Sequence, residues 1–170
     1  HRRRDRPPAG RAAAGDRGAF ARLVELHWGR LVRFARSIVG EAEAEDAVQE
    51  ALLVAWRKLA GLTDLASFGG WVGRITYRRC LRRAGRLRHL LPLDVASPPA
   101  VLPVSDGEIL IWQVLRRLAP RQRAVLHLTI VEEMSDSEIG ALLGITPASV
   151  RSHRRRGRDR LRQVLGGHKS

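Results

Sequence analysis

This sequence predicts an all-α fold of two small helical domains joined by an extended linker, and three observations predict it. Apolar residues recur at helical spacing in every long segment, and no alternating stretch of convincing length reads as a strand. An apolar content of 44% with only 5% aromatic residues suits helical cores built from Leu, Val and Ala. The periodicity breaks once. From His89 to Leu115 there is no Lys or Arg, and four of the eight prolines lie between Pro92 and Pro103. Such a stretch cannot form a long helix and reads as a tether. The expected organisation is a disordered basic leader over 1–15, a first domain over 16–91, a linker over 92–107, a second domain over 108–166 and a tail over 167–170.

The leader is rich in Arg, Pro, Gly and Ala without apolar period, the composition of a disordered segment. Asp16 then caps a first helix whose apolar face carries Phe20, Leu23, Val24, His27, Leu31, Phe34, Ala35 and Ile38 up to Gly40. His27 lies on that face with no second histidine at metal spacing, so it reads as a core histidine. A second helix runs from about Glu41 to Ala60, with Ala47, Val48, Ala51, Leu52, Ala55 and Trp56 as its stripe. Asp46, Gln49 and Glu50 stand at i, i+3 and i+4 and share one patch beside it. The helix dipole accounts for the first-turn acids Glu43 and Glu45. It accounts less well for Gln49 and Glu50, which lie mid-helix, and a protein-docking patch is the alternative reading in so basic a chain.

Residues 61–70 read as a loop. The next helix, Trp71 to about Leu90, carries Arg74, Arg78, Arg79, Arg82, Arg83, Arg86 and Arg88 and no acid, with Phe68, Trp71 and Tyr77 in or beside it. Aromatics among arginines are what single-stranded nucleic acid needs, because bases stack on rings while guanidinium groups hold the backbone. The plain alternative is that Trp71, Val72, Ile75 and Leu81 form the core side of a surface helix. Both can hold. Cys80, the only cysteine, excludes an internal disulfide and reads as a small, partly buried helix residue.

Beyond the linker, Ile109, Trp112, Leu115 and Leu118 form a stripe, the chain turns through Pro120, and Val125, Leu126, Leu128 and Ile130 lead onward. Ser135 and Glu138 make a capping box, Ile139, Leu142 and Leu143 an apolar face, and Gly144 a left-handed stop. Thr146 and Pro147 start the next helix. Helix, three-residue turn, helix is the spacing of a helix-turn-helix, whose second helix presents its N-terminal part to the DNA major groove. Ser149, Arg151, Ser152, Arg155 and Arg156 stand there, and arginine can bond guanine O6 and N7 or clamp phosphate.

The formal net charge of +14 calls for a polyanionic partner. Membrane anchoring is not expected, since the longest strongly apolar run, Ala51 to Trp56, falls far below a span. No signal-peptide core follows the basic N-terminus, so the expected location is the cytoplasm. No paired carboxylates, metal-ligand cluster or phosphate-cradling glycine loop is evident, so neither an enzyme nor a cofactor is expected.

Four stretches in order carry a family resemblance. EDAVQEALLVAW (Glu45 to Trp56), SFGGWVGRITYRR (Ser67 to Arg79), LRRLAPRQRAVLHL (Leu115 to Leu128) and SDSEIGALLGITPASVRS (Ser135 to Ser152) resemble regions 2 and 4 of bacterial sigma factors. The chain is similar to the extracytoplasmic-function group of the sigma-70 family from about Phe20 to Leu165. The resemblance implies an alternative sigma factor with a region 2 bundle and a region 4 helix-turn-helix. Asp46, Gln49 and Glu50 would contact the clamp helices of the largest subunit of core RNA polymerase, and region 4 the flap of the second-largest. Phe68, Trp71, Arg74, Tyr77, Arg78, Arg79 and Arg82 would read and melt the promoter −10 element, with the loop 62–70 capturing a flipped base. Ser149, Arg151, Ser152, Arg155 and Arg156 would read duplex −35 DNA. The linker would thread toward the active centre, and an anti-sigma factor is an implied partner. Three residues depart from the family pattern: Arg78 replaces an asparagine, Arg154 an apolar residue and Gly157 an alanine. The last two interrupt the stripe Val150, Leu161, Leu165, so this helix is expected to be less stable alone or completed by a partner. The rival readings are a stand-alone helix-turn-helix regulator and a nucleic-acid-processing enzyme.

Overall fold

The computed structural model of the chain describes residues 15–62, 65–90 and 114–166. The basic leader before residue 15, Thr63 and Asp64 of the expected loop, the linker with Ile109 and Trp112, and the tail 167–170 lie outside them. Among the described residues there are six α-helices and two short 3-10 turns, and no strand. They are α1 (Arg17–Val39), α2 (Glu41–Lys58), α3 (Phe68–Leu90), α4 (Pro120–Ile130), α5 (Asp136–Leu143) and α6 (Pro147–Gly166). The 3-10 turns, Leu59–Gly61 and Leu65–Ser67, lie between α2 and α3.

Each boundary has a local cause. The Ala19 amide donates to Asp16 Oδ1 at 3.0 Å to open α1. Gly40 closes it at φ 89°, a value that disfavours side chains, and serves at the same time as the cap of α2. One residue therefore joins the two helices, and Arg36 and Glu41 pair across the corner. Along α2, Ala44, Ala47, Ala51 and Ala55 are essentially inaccessible. Their spacing of three to four residues puts four methyl-sized groups on one face, so α1 and α3 can approach closely. Phe20 of α1 packs on Trp56 at 5.0 Å and edge-on to Phe68 at 6.4 Å, closing the end of this three-helix unit.

The third helix starts at Phe68 rather than at the expected Trp71, because Gly69 and Gly70 lie inside its first turn. By propensity two glycines mark a loop. Here, however, a Cβ on Gly69 would lie 2.9 Å from the His27 ring, so the missing side chain is what lets α3 begin against α1. Cys80 is buried, and burial pushes its thiol up to about 12.

Helix α4 is buried all round: Ala124, Val125, Leu126, His127 and Leu128 are all covered, as befits an element with neighbours on opposite sides. One side meets α1 and the other α6. The two halves consequently share a single apolar cluster running from Ala19 to Val150. Phe34 is at its centre, 3% exposed, stacked on Tyr77 at 6.4 Å and 5.6 Å from the His127 ring. Removing this ring takes partners from both halves. Phe34→Ala should therefore lower the unfolding free energy by about 3–5 kcal/mol. Urea denaturation followed by far-UV circular dichroism would measure it, and a loss below about 1 kcal/mol would contradict this placement.

Candidate polymerase and nucleic-acid interfaces

On α2, Asp46 and Gln49 are exposed and Glu50 is half-buried. Leu53 continues the row one turn on and is 59% exposed, an apolar side chain facing solvent from an otherwise polar strip. Arg83 of α3 reaches into this patch. It pairs with Glu43, with Glu50 at 2.6 Å and more distantly with Asp46 at 3.9 Å. The hydrogen bond from Arg83 holds the Glu50 carboxyl below its ordinary range, against a smaller opposing effect of burial. Glu50 thus has a structural task as well as an exposed edge, whereas Asp46 and Gln49 project freely enough to meet a partner.

Along α3, Arg74, Arg78 and Arg82 are exposed on successive turns, and Arg86 extends the row. Arg79 is half-buried on the flank. The aromatic residues behave otherwise than expected. Phe68 is 2% and Tyr77 3% exposed, so both are core side chains and neither ring can stack on a base in this arrangement. Their apolar surface is covered by α1, which lies against both: His27 meets Phe68 at 5.3 Å and Phe34 meets Tyr77. Burial pushes the Tyr77 phenol up. Trp71 is half-buried beside Phe68 at 6.0 Å and keeps an accessible edge. Arg74 donates to the Ala141 carbonyl of α5.

The helix-turn-helix assembles as its caps require. The Glu138 amide donates to Ser135 Oγ at 3.3 Å, and Glu138 Oε2 accepts from the Ser135 amide at 2.8 Å. The Ser135 hydroxyl and amide hold the Glu138 carboxyl low. Gly144 is left-handed at φ 72°, and the Ser149 amide donates to Thr146 Oγ1 at 3.1 Å. The Ser149 hydroxyl lies 3.0 Å from that of Thr146. Ser149 is accordingly part of the cap, with less freedom to read bases than expected. Arg155 and Arg156 are exposed and Ser152 is half-buried. Arg151 is largely exposed but approaches Asp136 at 3.6 Å.

The residues that interrupt the stripe, Arg154 and Gly157, each have a packing role within the chain. Arg154 forms a two-pronged bond to Asp136, Nη1 to Oδ1 at 2.5 Å and Nη2 to Oδ2 at 3.3 Å, tying α6 to the start of α5. That bond is the first cause of the depressed Asp136 carboxyl. Gly157 is buried where α6 crosses α4, and a Cβ there would lie 3.0 Å from Leu126 Cδ1. Of the stripe Val150, Leu161, Leu165, Val150 is buried, Leu161 half-buried and Leu165 exposed.

Residues 23–89 match the profile of Sigma-70 region 2, and residues 108–161 that of Sigma-70 region 4. The chain belongs to the sigma-70 family. It is 35% identical to the ECF RNA polymerase sigma factor SigE of Mycolicibacterium smegmatis, over 93% of this chain and 67% of that one. It is 33% identical to the RNA polymerase sigma factor NccH of Alcaligenes xylosoxydans xylosoxydans, with 95% and 94% coverage. For the ECF sigma factor SigM of Mycobacterium tuberculosis the figures are 32%, 98% and 87%. Among solved structures, CnrH in complex with the cytosolic domain of CnrY superimposes at a TM-score of 0.70 with 28% identity, covering 96% of this chain and 97% of that one. RpoE in complex with the anti-sigma factor NepR from Bartonella quintana shares the fold at a TM-score of 0.64 and 24% identity, with 86% and 96% coverage. The chain is therefore a sigma factor of the extracytoplasmic-function type.

In this sigma factor the residues missed by sequence reasoning are Leu53, Arg83, Arg30, His127 and Glu132. Leu53 was open to detection, since it stands at i+7 from Asp46 and i+3 from Glu50 on one helical face. Nothing local marks Arg83, whose carboxylates lie 33 and 40 residues away in sequence.

Three histidines favour their neutral form. Burial pushes His127 down, Glu132 opposes this, and Arg33 and Arg30 add to the depression. At 3.7 Å the Nε2–Oε1 separation is too long for a hydrogen bond, so Glu132 acts there as a charge. Burial first and arginines second also lower His27 and His153. A group whose folded value lies below its unfolded value of about 6.5 binds its proton more readily unfolded. Its stabilising effect is complete above that pH and fades as pH falls through the window beneath it. The melting temperature should drop between pH 7.5 and pH 5.5, and His127→Gln should flatten the dependence. Equal melting temperatures at both pH values in the unaltered protein would contradict this.

Proposed function

We propose that this alternative sigma factor, acting in transcription initiation, docks on the clamp helices of the largest subunit of core RNA polymerase through Asp46, Gln49 and Glu50. Leu53 would be the apolar member of that row, and region 4 would engage the flap of the second-largest subunit. The N-terminal part of α6, with Arg151, Ser152, Arg155 and Arg156, would read duplex −35 DNA. Arg74, Arg78, Arg79 and Arg82, with the edge of Trp71, would hold the −10 strand while it is melted. Phe68 and Tyr77 support that surface from beneath. Arg78, standing where the family often has asparagine, is the residue expected to give this chain its own −10 preference. The division into a region 2 unit over 16–91 and a region 4 unit over 108–166, with 92–107 as the tether, belongs to the same reading.

One observation carries this assignment. Two separate helices each present exposed arginines on successive turns, while the acidic row lies on a third helix, so DNA and polymerase would meet different elements of the chain. An anti-sigma partner is proposed because the structural neighbour RpoE was captured with the anti-sigma factor NepR, and CnrH with the cytosolic domain of CnrY. The chain itself would carry out no catalysis, since sigma factors leave nucleotidyl transfer to the polymerase. It would work in the bacterial cytoplasm. Among the described residues no helix is long and apolar enough to cross a membrane.

The deciding experiment adds the protein to sigma-free core polymerase on a genomic template and maps transcript 5′ ends. Discrete starts sharing two upstream motifs are expected. Silence from core, together with a duplex footprint by the protein alone, would favour a stand-alone regulator. Gln49→Arg leaves the bonds from Arg83 to Glu43, Asp46 and Glu50 in place, so it should weaken core binding at least tenfold without lowering the melting temperature. Core affinity unchanged by this substitution would refute the docking row. Each phosphate contact removed, as in Arg155→Ala, should reduce the salt slope of promoter binding by about one.

A further inference from the structure

Between α5 and α6 a single carboxylate takes two arginines. Asp136 stands in the first turn of α5, where the positive end of the helix dipole favours a negative charge. Arg154 grips it in the two-pronged bond described above, and both side chains are half-buried in the contact. The oxygen that accepts the longer prong, Oδ2, also lies 3.6 Å from Arg151 Nη1. That separation makes an ion pair rather than a hydrogen bond. Arg151 is the first arginine of α6, one turn before Arg155, so it stands in the part of a recognition helix that faces base edges. Of Arg151, Arg155 and Arg156, it is the one that has an acidic partner among the described residues. A carboxylate this close to a DNA-reading surface opposes every phosphate contact, whatever the sequence. What it can add is orientation.

We propose that Asp136 is a positioning residue for promoter recognition: its carboxylate steers the Arg151 guanidinium toward one base pair of the −35 duplex, so that selectivity there depends on a residue of α5 that touches no base itself. This rests on the reading of α6 as the −35 helix. A guanidinium discriminates bases when its planar fork meets guanine O6 and N7 together, so the target is a guanine-containing pair. An arginine without a partner has many rotamers and can turn to a phosphate, a contact that carries no sequence information. Held from one side by a carboxylate, it loses less freedom on meeting the base. The same negative charge weakens attachment to phosphate alone, which penalises duplexes that lack the matching base.

The test uses the full chain with core polymerase on a promoter fragment taken from the mapped transcript starts, with each −35 base pair exchanged in turn. Competition binding gives a discrimination ratio at every position. Arg151→Ala identifies the base pair that Arg151 reads, as the position whose ratio falls toward one. Asp136→Asn keeps the shape of the side chain and removes its charge. It should lower the ratio at that same position roughly threefold or more, a part of what a bidentate contact discriminates. Ratios elsewhere should not change, and affinity for the exchanged fragment should rise. Arg154→Leu breaks the tie between α5 and α6 but leaves Asp136 to Arg151, so it should keep the ratio at that position. A loss in Arg154→Leu as large as in Asp136→Asn would mean that the tie alone matters, and positioning is overturned. If Asp136→Asn shifts the affinity for all fragments by one factor, the carboxylate acts only as a charge. Positioning is then overturned while the −35 reading of α6 stands. If Arg151→Ala alters no ratio, Arg151 reads no base, and the −35 role given to it falls together with this proposal.

Discussion

A chain with 31 lysines and arginines and only 17 carboxylates has to fold against its own charge. Where the described acids pair, they do so mainly at helix junctions. Glu41 meets Arg36 across the corner between α1 and α2, Glu43 and Glu50 meet Arg83 between α2 and α3, and Asp136 meets Arg154 between α5 and α6. Glu132 meets Arg30 between the two halves. Pairs as exposed as most of these add little stability one by one, up to about 1 kcal/mol. Their larger effect is on where charge remains. Each junction is brought near neutrality, and the uncompensated arginines are left on the outer faces of α3 and α6, where a polyanion can approach.

The stability itself comes from close packing with small side chains. The alanine face of α2 and the glycines at 69 and 157 let helices approach where larger residues would hold them apart. Gly157 illustrates the exchange. A glycine inside a helix costs roughly 0.5–1 kcal/mol relative to alanine. In return α6 settles onto Leu126 of α4, and α4 is thereby buried on both sides. With Phe34 bridging Tyr77 and His127, the apolar core does not stop at the border between the two family regions.

That continuity links packing to function. The rings expected to stack on DNA bases, Phe68 and Tyr77, are the ones that hold α1 against α3. The arginine row above them therefore stands on a rigid floor. Under the proposed function such support favours strand binding, because side chains held by packing lose less freedom on binding. Region 4 adds a second layer, since α5 and α4 rest on part of the same helix that region 2 uses.

Much of this was legible in the sequence. Asp16, Ser135, Glu138, Gly144, Thr146 and Pro147 announce their boundaries because capping is settled within four residues of chain. The apolar stripes of α1, α2 and α5 follow from period alone, and the basic faces from composition. The tertiary structure decided what depends on distant partners. It put Gly69 inside a helix because His27 stands opposite, and it made Arg154 and Gly157 packing residues through Asp136 and Leu126. It withdrew Phe68 and Tyr77 from solvent and engaged Glu50 with Arg83. Local pattern specifies which face of a helix is apolar or charged. It does not specify which other helix covers that face, because this depends on contacts between residues tens of positions apart.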